Sequence, residues 1–157
     1  MNLQIGVRCL AFAGAAMCAA ALAPLAAGDA VYHSEHLNLA PVGGAPLRSG
    51  FVQNIKAEGP RVYAHEVFVL NGAVLNATYT VTRNFFFLDP RCAGGSAFRS
   101  PVATLQTNAA GNGREDVFVR PSEVPPAFRG VHGVIWTVTD SAGAVVYQTT
   151  CTAVTLD

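Results

Sequence analysis

The sequence is poor in charge. Only 13% of its 157 residues are charged, ten acidic residues balance ten basic ones, and one lysine stands against nine arginines. No basic stripe is present, which excludes the usual electrostatic route to nucleic-acid binding. We interpret the preference for arginine, alanine and glycine as the coding bias of a secreted bacterial protein. Much of the surface must therefore be Thr, Ser, Asn, Gln and backbone.

A hydrophobic run long enough to cross a membrane is also missing. The apolar run of residues 9–22 is shorter than the ~18–20 residues that a membrane span needs. Residues 1–30 have one cation, that apolar run and then small residues, which is the layout of a secretory signal peptide. We expect cleavage between Ala27 and Ala30, and no membrane span afterwards. A leader retained as an anchor is the alternative.

Cysteine becomes scarce once this leader is removed. Only Cys92 and Cys151 remain, and two cysteines in an exported domain most simply form one disulfide. Closing a loop of about 60 residues stabilises a fold by ~4 kcal/mol in the chain-entropy model. Two buried free thiols are the alternative. A disulfide predicts a secreted, periplasmic or cell-envelope location.

Convincing amphipathic helices are absent, whereas short β-branched and aromatic runs alternate with turn signals. Residues 31–49, rich in proline and glycine, are expected to form an irregular N-terminal arm. Residues 50–157 predict an all-β, immunoglobulin-like antiparallel β-sandwich of seven or eight strands. The predicted strands are 51–57, 61–70, 77–88, 101–107, 114–121, 133–140 and 144–156.

Two turns predict which of these strands are neighbours. "TDSAGAVV" is a hairpin signal that pairs strand 133–140 with strand 144–156. "TNAAGNGRED" is expected to pair strand 101–107 with strand 114–121 in the same way, through a longer loop.

The segment "LNGAVLNATYTVT", residues 70–82, resembles part of fibronectin type III and related immunoglobulin-like domains. In those domains leucine, threonine and tyrosine recur at alternate positions, and the tyrosine hydroxyl closes a corner. Leu75 and Tyr79 match this pattern, while Asn76 stands where proline is usual. The resemblance covers 13 residues and implies a sandwich fold. The whole layout is similar to that of small secreted bacterial domains, which implies no activity.

The N-terminal sequence "VYHSEH" is the sharpest candidate for metal binding. Cleavage after Ala30 would leave a free amine, two amide nitrogens and His33, a donor set suited to copper or nickel in a square plane. His36 is a candidate additional ligand. A cleavage point one residue away would destroy the site, and a plain polar tail is the alternative.

Catalytic groups do not converge in the sequence. His65 and Glu66 are neighbours on a predicted strand and therefore point to opposite faces. We interpret His65 and His132 as structural histidines at the edge of the core. The remaining carboxylates are scattered over turns and strand starts, so the sequence predicts neither an enzyme nor a cofactor.

Three phenylalanines are the candidate partner-binding residues. Alternation places Phe85 and Phe87 in the core and turns Phe86 outward, where it would join Phe98 and Phe128 in an apolar patch. A strand buried on both faces is the alternative. The leading hypothesis is an exported, non-catalytic module that binds a protein or a small ligand. The alternatives are a secreted copper- or nickel-binding protein and a small secreted hydrolase.

Overall fold

The computed structural model describes residues 33–56, 64–96 and 98–156, and they form an antiparallel β-sandwich with one disulfide, as the sequence predicts. Residues 1–32, which contain the predicted leader, lie outside this part. Within the described residues, no helix has the length and apolar character that a membrane crossing requires. The strands are β1 (His33–Asn38), β2 (Ala40–Pro41), β3 (Ser49–Lys56), β4 (Ala64–Asn71), β5 (Thr78–Phe86), β6 (Phe98–Gln106), β7 (Gly113–Val119), β8 (Gly130–Thr139), β9 (Val145–Gln148) and β10 (Thr152–Leu156).

The strands divide into two sheets that enclose one core. The first sheet has the order β1-β3-β4-β7, and the second has the order β2-β9-β8-β5-β6, with β10 also paired to β8. Period-two alternation sends apolar side chains inward from both sheets. Two single-turn 3-10 helices, Pro121–Glu123 and Pro126–Phe128, connect β7 to β8. The largest fully buried side chains are Phe68, Leu70, Val52, Tyr147, Trp136, Leu105, Val81, Val134, Val138 and His132.

The N-terminal arm, expected to be irregular over residues 31–49, contains two strands instead. β1 pairs with β3 in the first sheet and β2 pairs with β9 in the second, so the chain changes sheets at Leu39. Leu37 packs against the core and Leu39 is buried in it. The arm prediction was wrong because the proline- and glycine-rich composition belongs to the following residues, 42–48, which form no strand.

The predicted pairing of strands 101–107 and 114–121 was also wrong. β6 pairs with β5, and β7 pairs with β4 in the other sheet, so the intervening turn crosses between sheets. Its backbone groups bond to the loop before β5: the N–H of Ala73 donates to the carbonyl of Gly111, and the N–H of Asn76 donates to that of Asn108, both at 3.0 Å. These bonds replace a β6–β7 ladder.

The hairpin predicted at the C-terminus is confirmed. β8 pairs with β9 and β10, which are one predicted strand interrupted at Thr149–Cys151. Cys151 lies in that interruption and forms the predicted disulfide with Cys92, with Cα atoms 6.0 Å apart. This interruption and the two strands of the arm raise the number of strands in the described residues to ten.

The orientation predicted for the three consecutive phenylalanines needs correction. Phe86 is 8% exposed and buried, whereas Phe87 is 43% exposed. Phe86 pairs with Gly133, and a Cβ atom on Gly133 would lie 2.3 Å from the carbonyl oxygen of Asp89 and 2.6 Å from Sγ of Cys92. The Cys92 loop therefore covers the outer face of the sheet beside Phe86. β5 ends at Phe86, so alternation no longer directs Phe87 inward.

Candidate functional site

The two histidines proposed as metal ligands, His33 and His36, both lie in β1. The ring of His36 is 4.4 Å from that of Phe51, and its Nδ1 is 3.0 Å from Oε1 of Gln53. Val31, Tyr32 and the side chain of His33 are outside the described part of the chain, so the amine-and-amide site stays a prediction. Among the residues described, no three His, Cys, Asp or Glu side chains are grouped to hold a metal ion.

His65 and Glu66 point to opposite faces of β4. Nε2 of His65 is 2.8 Å from Oδ1 of Asp116 on the outer face, and its ring stacks on Phe118 with centroids 4.3 Å apart. Arg114 holds the same carboxylate with two bonds of 2.8 and 3.0 Å. These hydrogen bonds lower the pKa of Asp116 to about 2, and those from Arg114 contribute more than the one from His65. The cluster links β4 to β7.

Asp116→Asn tests this electrostatic contribution. Because the pKa of Asp116 falls from 3.8 to about 2 on folding, its ionised form stabilises the fold above pH ~4, and this contribution is lost as the pH falls through ~2. We expect the difference in unfolding free energy between wild type and Asp116→Asn to be largest at pH 5 and to shrink towards pH 2. Urea denaturation across this range measures it. A difference that does not change with pH would contradict the assignment.

His132 is fully buried and has a structural role. Its Nδ1 accepts the N–H of Leu88 at 2.9 Å, and its Nε2 donates to the carbonyl of Phe128, also at 2.9 Å. The two partners together define a neutral ring with the proton on Nε2. The ring lies 4.6 Å from Phe85 and 5.1 Å from Phe87. His132 thereby ties the segment after β5 to the second 3-10 helix.

Two of the three predicted patch residues lie together, Phe87 joins them instead of Phe86, and the exposed Leu88 follows Phe87 in the chain. The ring of Phe128 is 6.5 Å from that of Phe98 and 5.8 Å from that of Phe87. Phe98 is 52% and Leu88 61% exposed. We call Phe87, Leu88, Phe98 and Phe128 the aromatic patch.

The loop that carries Phe87 and Leu88 is held at several points. Leu88 has φ 52°, which a bulky side chain rarely adopts. The carboxylate of Asp89 accepts the N–H groups of Arg91 at 3.2 Å and Gly94 at 2.8 Å. The Gly94 bond is the main cause of the lowered pKa of Asp89, so this cap is ionised at neutral pH. The disulfide at Cys92 anchors the loop to the segment before β10.

Three exposed arginines lie close to patch residues in the sequence. Arg99 follows Phe98, Arg129 follows Phe128, and Arg91 lies in the Cys92 loop. Within the described part of the chain, none of the three forms an ion pair with a carboxylate. The patch is apolar in composition, and the charged residues that flank it include Asp89 and Glu123 as well as these arginines.

A cleft between the two sheets opens beside the patch. Its mouth, with a volume of about 260 Å³, includes Phe98 and Phe128 in its wall, and an inner cavity of about 80 Å³ reaches Trp136. Both parts share Arg83 in their lining. Nε and Nη2 of Arg83 donate to the two carboxylate oxygens of Glu66 at 3.0 and 2.7 Å, which joins β5 to β4 across the core.

Sequence reasoning missed the ion pair and the cleft, although a signal was present. Arg83 occupies an inward position between Val81 and Phe85, and Glu66 has the same inward parity as Phe68. A charged residue at an inward position of each of two strands is the pattern of a pair that crosses a core.

The aromatic patch and the cleft meet at the end of the sandwich where β5 ends and β6 begins. Both follow from contacts among residues of the Cys92 loop, the 3-10 helices and the ends of the strands. Comparison with protein-family models, with curated proteins and with solved structures found no match for this chain.

Proposed function

We propose that this protein is an exported, non-catalytic binding module that recognises a protein partner through the aromatic patch. The observation that carries the proposal is Leu88, a bulky side chain that is 61% exposed on a loop held by His132, Asp89 and the disulfide. Exposed apolar groups clustered on one surface are typical of interaction sites.

The backbone of Leu88 supports this interpretation. A left-handed conformation at a non-glycine residue costs on the order of 1–3 kcal/mol and persists only where surrounding structure imposes it. Here the N–H of Leu88 bonds to Nδ1 of His132 while its side chain points into solvent. The strained conformation leaves most of this side chain exposed. The result is an exposed leucine side chain held in one position. A rigid contact surface of this kind loses little entropy on binding.

Arg99 and Arg129, which follow patch residues in the sequence, indicate the chemistry of the partner. Guanidinium groups form strong, directional hydrogen bonds with carboxylates, and Arg99 and Arg129 form no ion pair with a carboxylate in the described part of the chain. We therefore expect the partner to present an apolar contact with acidic residues around it. Such charge complementarity raises the association rate as well as specificity.

The state of the titratable groups supports a non-catalytic role. Glu66 is paired with Arg83, Asp116 with Arg114 and His65, and the nitrogens of His132 bond to backbone groups. Each is engaged in joining strands or loops. The disulfide supports the export part of the proposal, since such bonds persist in oxidising compartments.

Site-specific photo-cross-linking in the cells that produce the protein tests this function. A photoreactive phenylalanine analogue at position 88 is expected to give a defined protein adduct. Position 75 is the matched control, because Leu75 is 57% exposed and lies at the opposite end of β5. We expect the adduct at position 88 to fall about tenfold or more when Arg99→Glu and Arg129→Glu are introduced, as expected for charges that border an interface.

Two outcomes would count against the proposal. Adducts of equal yield at positions 75 and 88 would mean that the aromatic patch is not a preferred contact. An adduct at position 88 that survives reversal of both arginines would exclude recognition of an acidic partner surface.

A further inference from the structure

We infer that the cleft between the sheets is a second binding site, for a small uncharged molecule that is mainly apolar and carries one hydrogen-bond acceptor. This site goes beyond the recognition of a protein partner by the aromatic patch. Three properties of the cleft support the inference. Its walls are apolar, the charges of Arg83 and Glu66 at its inner end are paired with each other, and the buried indole N–H of Trp136 has no hydrogen-bond partner among the described residues.

The walls of the cleft are apolar. Val124 and Leu156 line both its mouth and its inner cavity, and Val119, Val134 and Val154 line the inner cavity. With volumes of about 260 and 80 Å³, the cleft is at the lower end of the range for ligand sites and suits a molecule on the order of ten non-hydrogen atoms. A molecule of that size would bury its hydrocarbon part against valine and leucine side chains.

The ion pair at the inner end of the cleft favours an uncharged ligand. Both oxygens of the buried Glu66 carboxylate accept bonds from the half-buried Arg83, so the two charges compensate each other. A charged ligand would bring in a further charge without a counterion, which is costly in an apolar environment. Two other carboxylates are near: Glu35 is half-buried and accepts a 3.4 Å bond from Asn54, and Glu123 is exposed at the mouth. Both add to the penalty for an anion.

Trp136 supplies the polar part of the recognition. This side chain is 1% exposed and forms part of the wall of the inner cavity. Its Nε1 is buried and has no hydrogen-bond partner among the described residues. Buried donors in folded proteins are almost always paired, and the indole N–H can only donate. A ligand with a carbonyl, ether or hydroxyl oxygen would supply the missing acceptor once the side chains that enclose Nε1 move aside.

The fluorescence of Trp136, the only tryptophan in the chain, provides the test. The probes are 2-octanone, octanoate and octylammonium, which have similar chain length and differ in charge. We expect 2-octanone to change the emission of Trp136 with a saturable dependence on concentration. Octanoate and octylammonium are expected to bind at least about tenfold more weakly, because each buries an unpaired charge.

Two variants separate binding in the cleft from binding elsewhere. Val124→Phe fills the cleft and is expected to weaken 2-octanone binding about tenfold or more. Val145→Phe, at an exposed position of β9 outside the cleft, is the matched control and should leave binding unchanged. Trp136→Phe removes the donor and is expected to weaken binding, measured by calorimetry, by roughly threefold to tenfold.

Several results would overturn the inference. The absence of saturable binding of 2-octanone would mean that the inner cavity serves only to hold solvent beside Trp136. Equal affinities for the three probes would refute the charge argument. Full binding by Trp136→Phe would refute the role of the donor, and the comparison of the three probes on the wild type keeps the test decisive if a variant does not fold.

Discussion

Arg83→Met is expected to lower the free energy of unfolding by about 3–5 kcal/mol, because it leaves the carboxylate of Glu66 buried without its counterion. The side chain of Glu66 is 4% exposed, and both of its oxygens bond to the Arg83 guanidinium. The apolar residues around the pair offer no alternative donor of comparable strength. Urea denaturation at neutral pH, followed by circular dichroism, measures the loss.

The pair itself is expected to add little to stability, which a double variant can show. Arg83→Met combined with Glu66→Met replaces both charges by apolar groups, and we expect it to recover most of the loss. Arg48→Met, at an exposed arginine, is the matched control and should change stability by less than about 0.5 kcal/mol. A double variant as unstable as the single one would show that the pair is a net source of stability.

Cys92→Ala with Cys151→Ala is expected to lower the free energy of unfolding by about 4 kcal/mol. The two residues are 59 positions apart, and in the chain-entropy model a loop of that length restricts the unfolded chain by this amount. Reducing the wild type with dithiothreitol should give the same loss, measured by urea denaturation. The reductant should have no further effect on the variant.

This variant should also loosen the Cys92 loop. The N–H of Leu88, four residues before the disulfide-bonded Cys92, bonds to His132, so we expect its hydrogen exchange to accelerate more than that of central β5 residues such as Val81. A loss of stability below about 1 kcal/mol would contradict the entropic account. Unchanged exchange at Leu88 would show that His132 and Asp89 hold the loop without the disulfide.

Local patterns in the sequence predicted the strands well. Alternating apolar residues and turn signals located all seven predicted strands, and the signal "TDSAGAVV" identified the β8–β9 hairpin. These features depend on neighbours a few residues apart, which the sequence displays directly. The same reasoning failed for β1 because its alternation is flanked by a proline- and glycine-rich segment that dominated the composition of the region.

The candidate site could be predicted only in part. Phe98 and Phe128 were expected in an apolar patch, and they do lie together. Phe86 was assigned to the patch from strand alternation, but the Cys92 loop covers its face of the sheet. No feature of the sequence predicted the conformation of Leu88, because its positive φ follows from contact with His132, 44 residues away in sequence.

The sequence by itself therefore determined the all-β class, the positions of most strands and the pairing of the two cysteines, because periodicity, turn chemistry and cysteine number are local or compositional properties. Only the tertiary structure decided that β6 and β7 belong to different sheets, that Arg83 meets Glu66 across the core, and that Phe87 and Leu88 rather than Phe86 reach solvent. Each of these depends on which distant segments meet. That choice is made by packing and hydrogen bonding over the whole fold, and no short stretch of sequence contains it.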